Sequence, residues 1–215
     1  NRSLHQIHRL VNNMSDAGCS NLLTPDGVHD LSRLFRDIFE KISTQLVNTN
    51  VLLTYEGLSQ SVSGLANEGQ MERAILNIVS NAMKFMPEGG TIHARLTRQQ
   101  NMLHLSIRDS GSGIAENILS SVFTRYQRQP GIEDSRFGIG LRMVLIRNAA
   151  AAHGGTVLID QPQGSGTRVT LTIKVQQNPS NTLRSPVLRV DYAGERDHCL
   201  LELSEILPAH LYKSE

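Results

Sequence analysis

The chain lacks most of the features that decide a protein's class at a glance. It has no strong charge of either sign: 21 Lys and Arg against 20 Asp and Glu give a formal net charge of +1, so no basic field argues for nucleic acid as a partner. It has only two cysteines, Cys19 and Cys199, far apart and without metal-ligand spacing, which fits a reducing compartment and gives no sign of thiol catalysis. No apolar run approaches the roughly 20 residues of a membrane span, and no signal-peptide pattern opens the chain. It begins at Asn1 rather than Met and so reads as a piece of something longer. Aromatic residues are 4%, with no tryptophan. What remains is an ordinary globular composition, 39% hydrophobic and 19% charged over 215 residues, enough for one sizeable core plus appendages.

The most informative stretch is Met71–Phe85, MERAILNIVSNAMKF. Read as a helix, it places Asn77, Asn81 and Lys84 on one face and Ile75, Val79, Ala82 and Met86 on another, the face that packs on a core. An asparagine carbonyl oxygen is a hard ligand suited to magnesium, and a lysine ammonium is a point charge suited to phosphate. The polar face reads either as a metal–nucleotide site or as the solvated side of an amphipathic helix. In Leu103–Ile114 a strand of period two (Leu103, Leu105, Ile107 against His104, Ser106, Arg108) ends in Asp109, with Gly111 and Gly113 behind it. Then come Val122–Arg128, VFTRYQR, and a helix opened by Gly138 and Gly140; glycines before a helix N-terminus suit a phosphate, because free N–H groups point outward there.

Four blocks in this order resemble the N box, first glycine box, F box and second glycine box of histidine-kinase catalytic domains, in the GHKL ATP-binding superfamily. Asn77-x-x-x-Asn81-Ala-x-Lys84-Phe85 is similar to the N box, Asp109-x-Gly111-x-Gly113 to the first glycine box, Phe123 to the F box, and Gly138-x-Gly140-Leu141 to the second glycine box. His153-Gly154-Gly155 and Gly164-Ser165-Gly166-Thr167 fit the family's last two strands.

The resemblance implies an α+β fold, a two-layer α/β sandwich of the Bergerat ATP-binding type, with helices on one face of a mixed sheet and nucleotide on the helix side. It implies ATP and Mg2+ as cofactors. Asn81 is the expected metal ligand, with Asn77 and Lys84 supporting the phosphates. Asp109 is expected to select adenine: its carboxylate can accept a hydrogen bond from the exocyclic amine, where guanine carries a carbonyl. Phe85, Gly111, Gly113, Ile114, Phe123, Gly138, Gly140, Leu141 and Thr167 complete the implied nucleotide contacts. The segment between Phe123 and Gly138 looks like a lid, with Arg125 and Arg128 as candidates for the γ-phosphate and Tyr126 open to stacking or packing. In ATP-hydrolysing relatives the residue four before the metal asparagine is a glutamate that activates water. Asn77 stands there and cannot act as a base, which favours transfer to a protein nucleophile over hydrolysis.

The implied activity is protein histidine kinase chemistry in two-component signalling. The expected partners are an upstream phosphoacceptor hairpin, a response regulator and, in the full-length protein, a second copy in a homodimer. The domain is expected on the cytoplasmic side of a parent open to membrane anchoring. The alternatives are a non-catalytic nucleotide module of the same superfamily, against which the intact Asn81, Lys84 and Asp109 argue, and a serine kinase acting on anti-sigma partners, against which the leading helix argues.

In chain order, Leu4, Ile7, Leu10, Val11 and Met14 recur at helical spacing, and residues 1–18 are assigned to the tail of the dimerisation and phosphoacceptor helix. Residues 25–175 are the expected catalytic domain: a helix over His29–Val47, strands at Val51–Tyr55 and near Ser61–Leu65, the central helix, a hairpin of Thr91–Thr97 and Met102–Asp109, a helix over Gly138–Ala152, and a hairpin of Gly155–Asp160 and Thr167–Val175. Residues 176–215 are a linker, a strand at Val187–Tyr192 and a helix at Glu195–Leu207, of no assigned role. His29-Asp30-Leu31-Ser32-Arg33-Leu34 faintly resembles a phosphoacceptor motif but lies too close to Asn81 to leave room for a hairpin, and His5 and His8 lack the pattern. The acceptor is expected upstream of Asn1.

Overall fold

The computed structural model describes residues 25–114, 139–162 and 166–175. The expected leading helix, the lid and the 176–215 extension lie outside them.

Strand β1 (Gly27–Asp30) runs directly into helix α1 (Leu31–Leu46). The helix does not begin at His29 as expected. Asp30 is its N-cap, with Oδ1 accepting from the N–H groups of Ser32 (3.0 Å) and Arg33 (3.2 Å). A hydrogen bond from the Ser61 hydroxyl, helped by these two, holds the Asp30 carboxyl below the usual carboxylate range. Residues 27–30 pair antiparallel with β3 (Ser63–Ala66) in a separate two-stranded sheet. The Ser32 hydroxyl donates to Gln60 O and accepts from Val62 N–H, tying the start of α1 to that ribbon.

The main sheet has the order β2-β4-β5-β7-β6. Strand β2 (Val51–Glu56) is parallel to β4 (Gly90–Gln99). The pairs β4–β5 (Met102–Asp109), β5–β7 (Arg168–Lys174) and β7–β6 (Val157–Asp160) are antiparallel. Both expected hairpins are present and the sheet is mixed, as expected. The first hairpin turns at Gln100 and Asn101, tighter than expected, with Gln100 at φ 52°.

The period of two sorts the sheet into two faces. Ile92, Ala94, Leu96, Leu103, Leu105, Ile107, Leu171 and Ile173 are buried under the helices, whereas Thr91, His93, Arg95 and Arg108 face outward. On the outer face Arg95 pairs with Glu56 at 2.8 Å and Arg168 with Asp160 at 2.6 Å. Helix α2 (Glu68–Lys84) starts a turn before the expected Met71, because Asn67 caps it by accepting from Gln70 N–H at 3.0 Å. Helix α3 (Ile139–Ala152) packs on α2 and on β7. Phe35, Phe39, Ile75, Leu76, Ile92 and Ile146 are among the fully buried side chains, each contributing about 1.5–3 kcal/mol. Glu72 on α2 bridges helices by accepting from Lys41 Nζ on α1 at 2.8 Å.

His153 fastens the far end of α3 to the start of α2. It is buried, and its Nδ1 lies 2.7 Å from Ala149 O. A carbonyl only accepts, so Nδ1 carries the proton, and Nε2 accepts the Asn67 N–H at 2.9 Å. The folded state therefore holds the neutral ring, and burial pushes its pKa below the ordinary 6.5. In the unfolded chain this ring takes up a proton as the pH falls through about 6.5; in the fold it does so only at lower pH. Its stabilising contribution is fully present above that value and declines as the pH drops below it. His153→Gln, with one acceptor and one donor but no titrating group, should flatten the fall in unfolding free energy between about pH 7 and about pH 5. Equal slopes for the two proteins would exclude this role.

Candidate nucleotide site

A narrow cavity of about 30 Å³ opens between α2 and the sheet. Helix α2 contributes Ile78, Asn81 and Ala82, its C-cap Phe85 joins them, strand β5 contributes Ile107 and Asp109, and α3 contributes Met143. Ile114, Ile159, Thr167 and Val169 close the far side. The volume is that of about one water rather than a purine.

Three polar side chains interrupt this apolar lining, Asn81 on α2 and the neighbouring pair Asp109 and Thr167. Asp109 is buried, and its Oδ1 accepts from Gly111 N–H at 2.9 Å and Thr167 N–H at 3.1 Å. Both bonds go to one oxygen and leave Oδ2 for another donor. Burial pushes the Asp109 carboxyl up, and the two N–H bonds partly restore it. The Thr167 hydroxyl is buried with no hydrogen-bond partner. An unpaired buried hydroxyl next to a half-used buried carboxylate is costly unless something polar reaches both.

Glycines make that geometry possible. A Cβ on Gly166 (φ 85°) would lie 1.9 Å from Asp109 O, and one on Gly111 would lie 2.8 Å from Phe85 O. The backbone after Asp109 and before Thr167 therefore packs at distances no side chain allows.

Of the polar face read on α2, only Asn81 reaches the cavity wall. Its amide is held from α3 at both ends: Nδ2 faces Met143 Sδ at 3.9 Å, and Oδ1 accepts from Arg142 Nη1 at 3.2 Å. Asn77 is fully buried, donates back to Arg73 O at 2.9 Å, and leaves Oδ1 without a partner; it does not line the cavity. Lys84 ends α2, half-buried, and also stands off the wall, as do Gly111 and Gly113. Gly140 and Leu141 are in the first turn of α3. Phe123, Arg125, Tyr126, Arg128 and Gly138 lie outside the described residues.

Ile107, Met143, Ile159, Val169 and Arg142 were not read from sequence as site residues. Ile107 had a signal, since it shares the strand face of Asp109; Arg142 had none, because its contact depends on how α3 lies against α2. A wider concavity of about 610 Å³ between α1 and β2 is lined by Arg36, Phe39, Tyr55 and Leu58 and contains none of the motif residues.

Residues 66–177, more than half the chain, match the family described as Histidine kinase-, DNA gyrase B-, and HSP90-like ATPase. The chain belongs to this family. The matched stretch thus runs from the last residue of β3 past the end of β7 and contains Asn81, Asp109 and Thr167. The chain is 27% identical over 183 residues to histidine kinase P4 of Formosa agariphila, covering 80% of this chain and 13% of that protein. It is 32% identical over 114 residues to the histidine protein kinase DivJ of Caulobacter vibrioides, covering 53% and 19% respectively. The chain thus spans less than a fifth of the length of these relatives. Its fold is similar to that of the mycobacterial sensor histidine kinase MprB, with a TM-score of 0.55 at 22% identity over 70% of this chain and 97% of that one. It is also similar to full-length ShkA in complex with AMPPNP, with a TM-score of 0.64 at 20% identity over 82% and 37%. The ATP-binding character of the family applies to this domain, which is the two-layer α/β sandwich expected from the sequence.

Proposed function

We propose that the cavity between α2 and β5 takes the adenine of ATP and that the domain is the catalytic part of a protein histidine kinase, passing the γ-phosphoryl group to a histidine outside residues 25–175. The observation that carries the reading is the pair at the cavity wall: Asp109 with Oδ2 left over, and Thr167 with an orphaned hydroxyl. Adenine offers an amine donor for the carboxylate and ring nitrogens for the hydroxyl. Ile78, Ile107 and Val169 supply apolar surface for the ring's faces.

Phosphoryl transfer asks the protein mainly to position and to stabilise charge. The domain binds the base through Asp109 and Thr167 and leaves the phosphates toward Asn81 and Lys84; Arg125 and Arg128 are the further candidates for the γ-phosphate. A bound magnesium ion would supply charge neutralisation during transfer. Among the described residues no group of three His, Cys, Asp or Glu could hold a metal, and the candidate protein ligand is a single oxygen, Asn81 Oδ1. Asn77, with no basic group and no place at the cavity wall, gives water no activation there. Among the described histidines, His153 is buried and committed to two backbone partners, so it is no nucleophile. The parent protein is expected to dimerise and to hand its phosphoryl group to a response regulator.

The 215-residue chain, incubated alone with γ-labelled ATP, should take up no acid-labile label and turn ATP over very slowly. Addition of a histidine-bearing helical hairpin from the parent protein should give acid-labile, base-stable label on the hairpin. Acid-labile label on the chain alone would contradict this assignment of donor and acceptor.

A further inference from the structure

The main sheet is less well covered at its β2 edge than at its centre. Ile92, Ala94 and Leu96 on β4 are 0%, 0% and 2% exposed beneath the helices. Val51, Leu53 and Tyr55, the residues of β2 that face the same way, are only partly buried. Beside them lies the concavity of about 610 Å³, whose walls include Arg36, Phe39 and Glu40 from α1 and Leu58 and Ser59 beyond β2. The Tyr55 ring stacks on Phe39 with centroids 4.6 Å apart and lines the same groove. Its hydroxyl is buried without a hydrogen-bond partner, and burial pushes its pKa up to about 12. Among the described residues β2 pairs only with β4, so its other edge has no strand partner. A bare strand edge beside a half-covered apolar face is a surface to which a further strand adds.

The chain itself has a segment within reach of this edge. The described residues end at Val175, which lies with Leu31 beside Gly64. The residue after Leu31, Ser32, donates to Gln60 O at 2.8 Å, and Gln60 follows Ser59 of the groove wall. Val175 N–H bonds to Asn101 O at the turn after β4, so the chain leaves the sheet at the end toward which β2 runs. Residues 176–215 follow, and the sequence predicts a strand among them at Val187–Tyr192. Leu188, Val190 and Tyr192 alternate there with Val187, Arg189 and Asp191, which gives the strand one apolar face. The polar stretch 176–186 can span roughly 36 Å when extended, whereas a six-residue strand such as β2 is about 20 Å long. We propose that Val187–Tyr192 joins the main sheet as a sixth strand, antiparallel to β2, and lays Leu188, Val190 and Tyr192 over the groove. Entry from the Glu56 end of β2 makes the pairing antiparallel with no crossover to build. This added strand is independent of what the cavity between α2 and β5 binds.

The test is hydrogen–deuterium exchange on the whole 215-residue chain. Amides of 187–192 should exchange at least about tenfold more slowly than in an unstructured chain. Dilution should not change this, because the strand belongs to the same molecule. Val190→Asp puts a carboxylate on the apolar face of the strand. It should speed exchange at least about tenfold at 187–192 and at the edge-facing amides of Val51–Glu56. The reciprocal change in the groove wall, Leu58→Asp, should release 187–192 by a similar factor. Circular dichroism checks that both variants stay folded. Exchange of 187–192 at the unstructured rate in the wild-type chain overturns the proposal without reference to any variant. So does exchange along β2 that a folded Val190→Asp protein leaves at the wild-type rate. Protection that falls on dilution overturns it as well, and gives the edge to a second copy of the chain.

Discussion

Asp109→Asn should weaken ATP binding by about 1.5–3 kcal/mol, roughly ten- to a hundredfold, while leaving the fold intact. The fold survives because an asparagine oxygen can still accept from Gly111 N–H and Thr167 N–H, the two bonds that Oδ1 makes now. Binding suffers because the other end of the side chain becomes a donor where adenine also donates. Asp109→Ala is the poorer probe, since it strands two buried N–H groups and mixes loss of stability with loss of affinity. Calorimetry measures the affinity and thermal unfolding checks the fold. Unchanged ATP affinity in a folded Asp109→Asn protein would remove Asp109 from the site.

The largest expected effect on stability comes from a residue that touches no ligand. Gly166 has φ 85°, and a Cβ there would lie 1.9 Å from Asp109 O and 2.9 Å from its carbonyl carbon. Both neighbours are backbone, so no flexible side-chain end can give way. Gly166→Ala should destabilise the domain by about 2–4 kcal/mol, combining left-handed strain with overpacking. It should also weaken ATP binding, because relief of the clash separates Asp109 from Thr167, whose N–H and C=O both bond to Asp109. Denaturant unfolding with a midpoint equal to wild type would show that this close approach is not required.

The sequence made most of the domain legible because its long elements carry unambiguous periods. Strand β5 alternates cleanly and delivers Asp109 at its end, and α1 repeats apolar residues on one stripe; the family resemblance pointed to Asp109 and Thr167, which both line the cavity. What was not legible depends on contacts distant in the chain or too short to show a pattern. The β1–β3 ribbon has four residues a side, and Gly27–Asp30 alternates too briefly to be told from a helix start. The cap on Asn67 moved the start of α2, and the partner of Asn67 N–H, His153, lies 86 positions away. Asn77 and Asn81 are one turn apart and look equivalent on a helical wheel. Yet the packing of α3 brings Asn81 to the cavity wall and leaves Asn77 buried with an unpaired oxygen. Arg142 was invisible for the same reason, since its pairing with Asn81 is set by how two helices lie against each other.

The central claim is that the Asp109–Thr167 pair reads adenine, and the most direct test is a parallel titration of the 215-residue chain with ATP and with GTP under identical conditions. The account predicts a measurable ATP isotherm and GTP binding weaker by at least about tenfold, because guanine presents a carbonyl to a carboxylate that needs a donor. Equal affinity for the two nucleotides would contradict it.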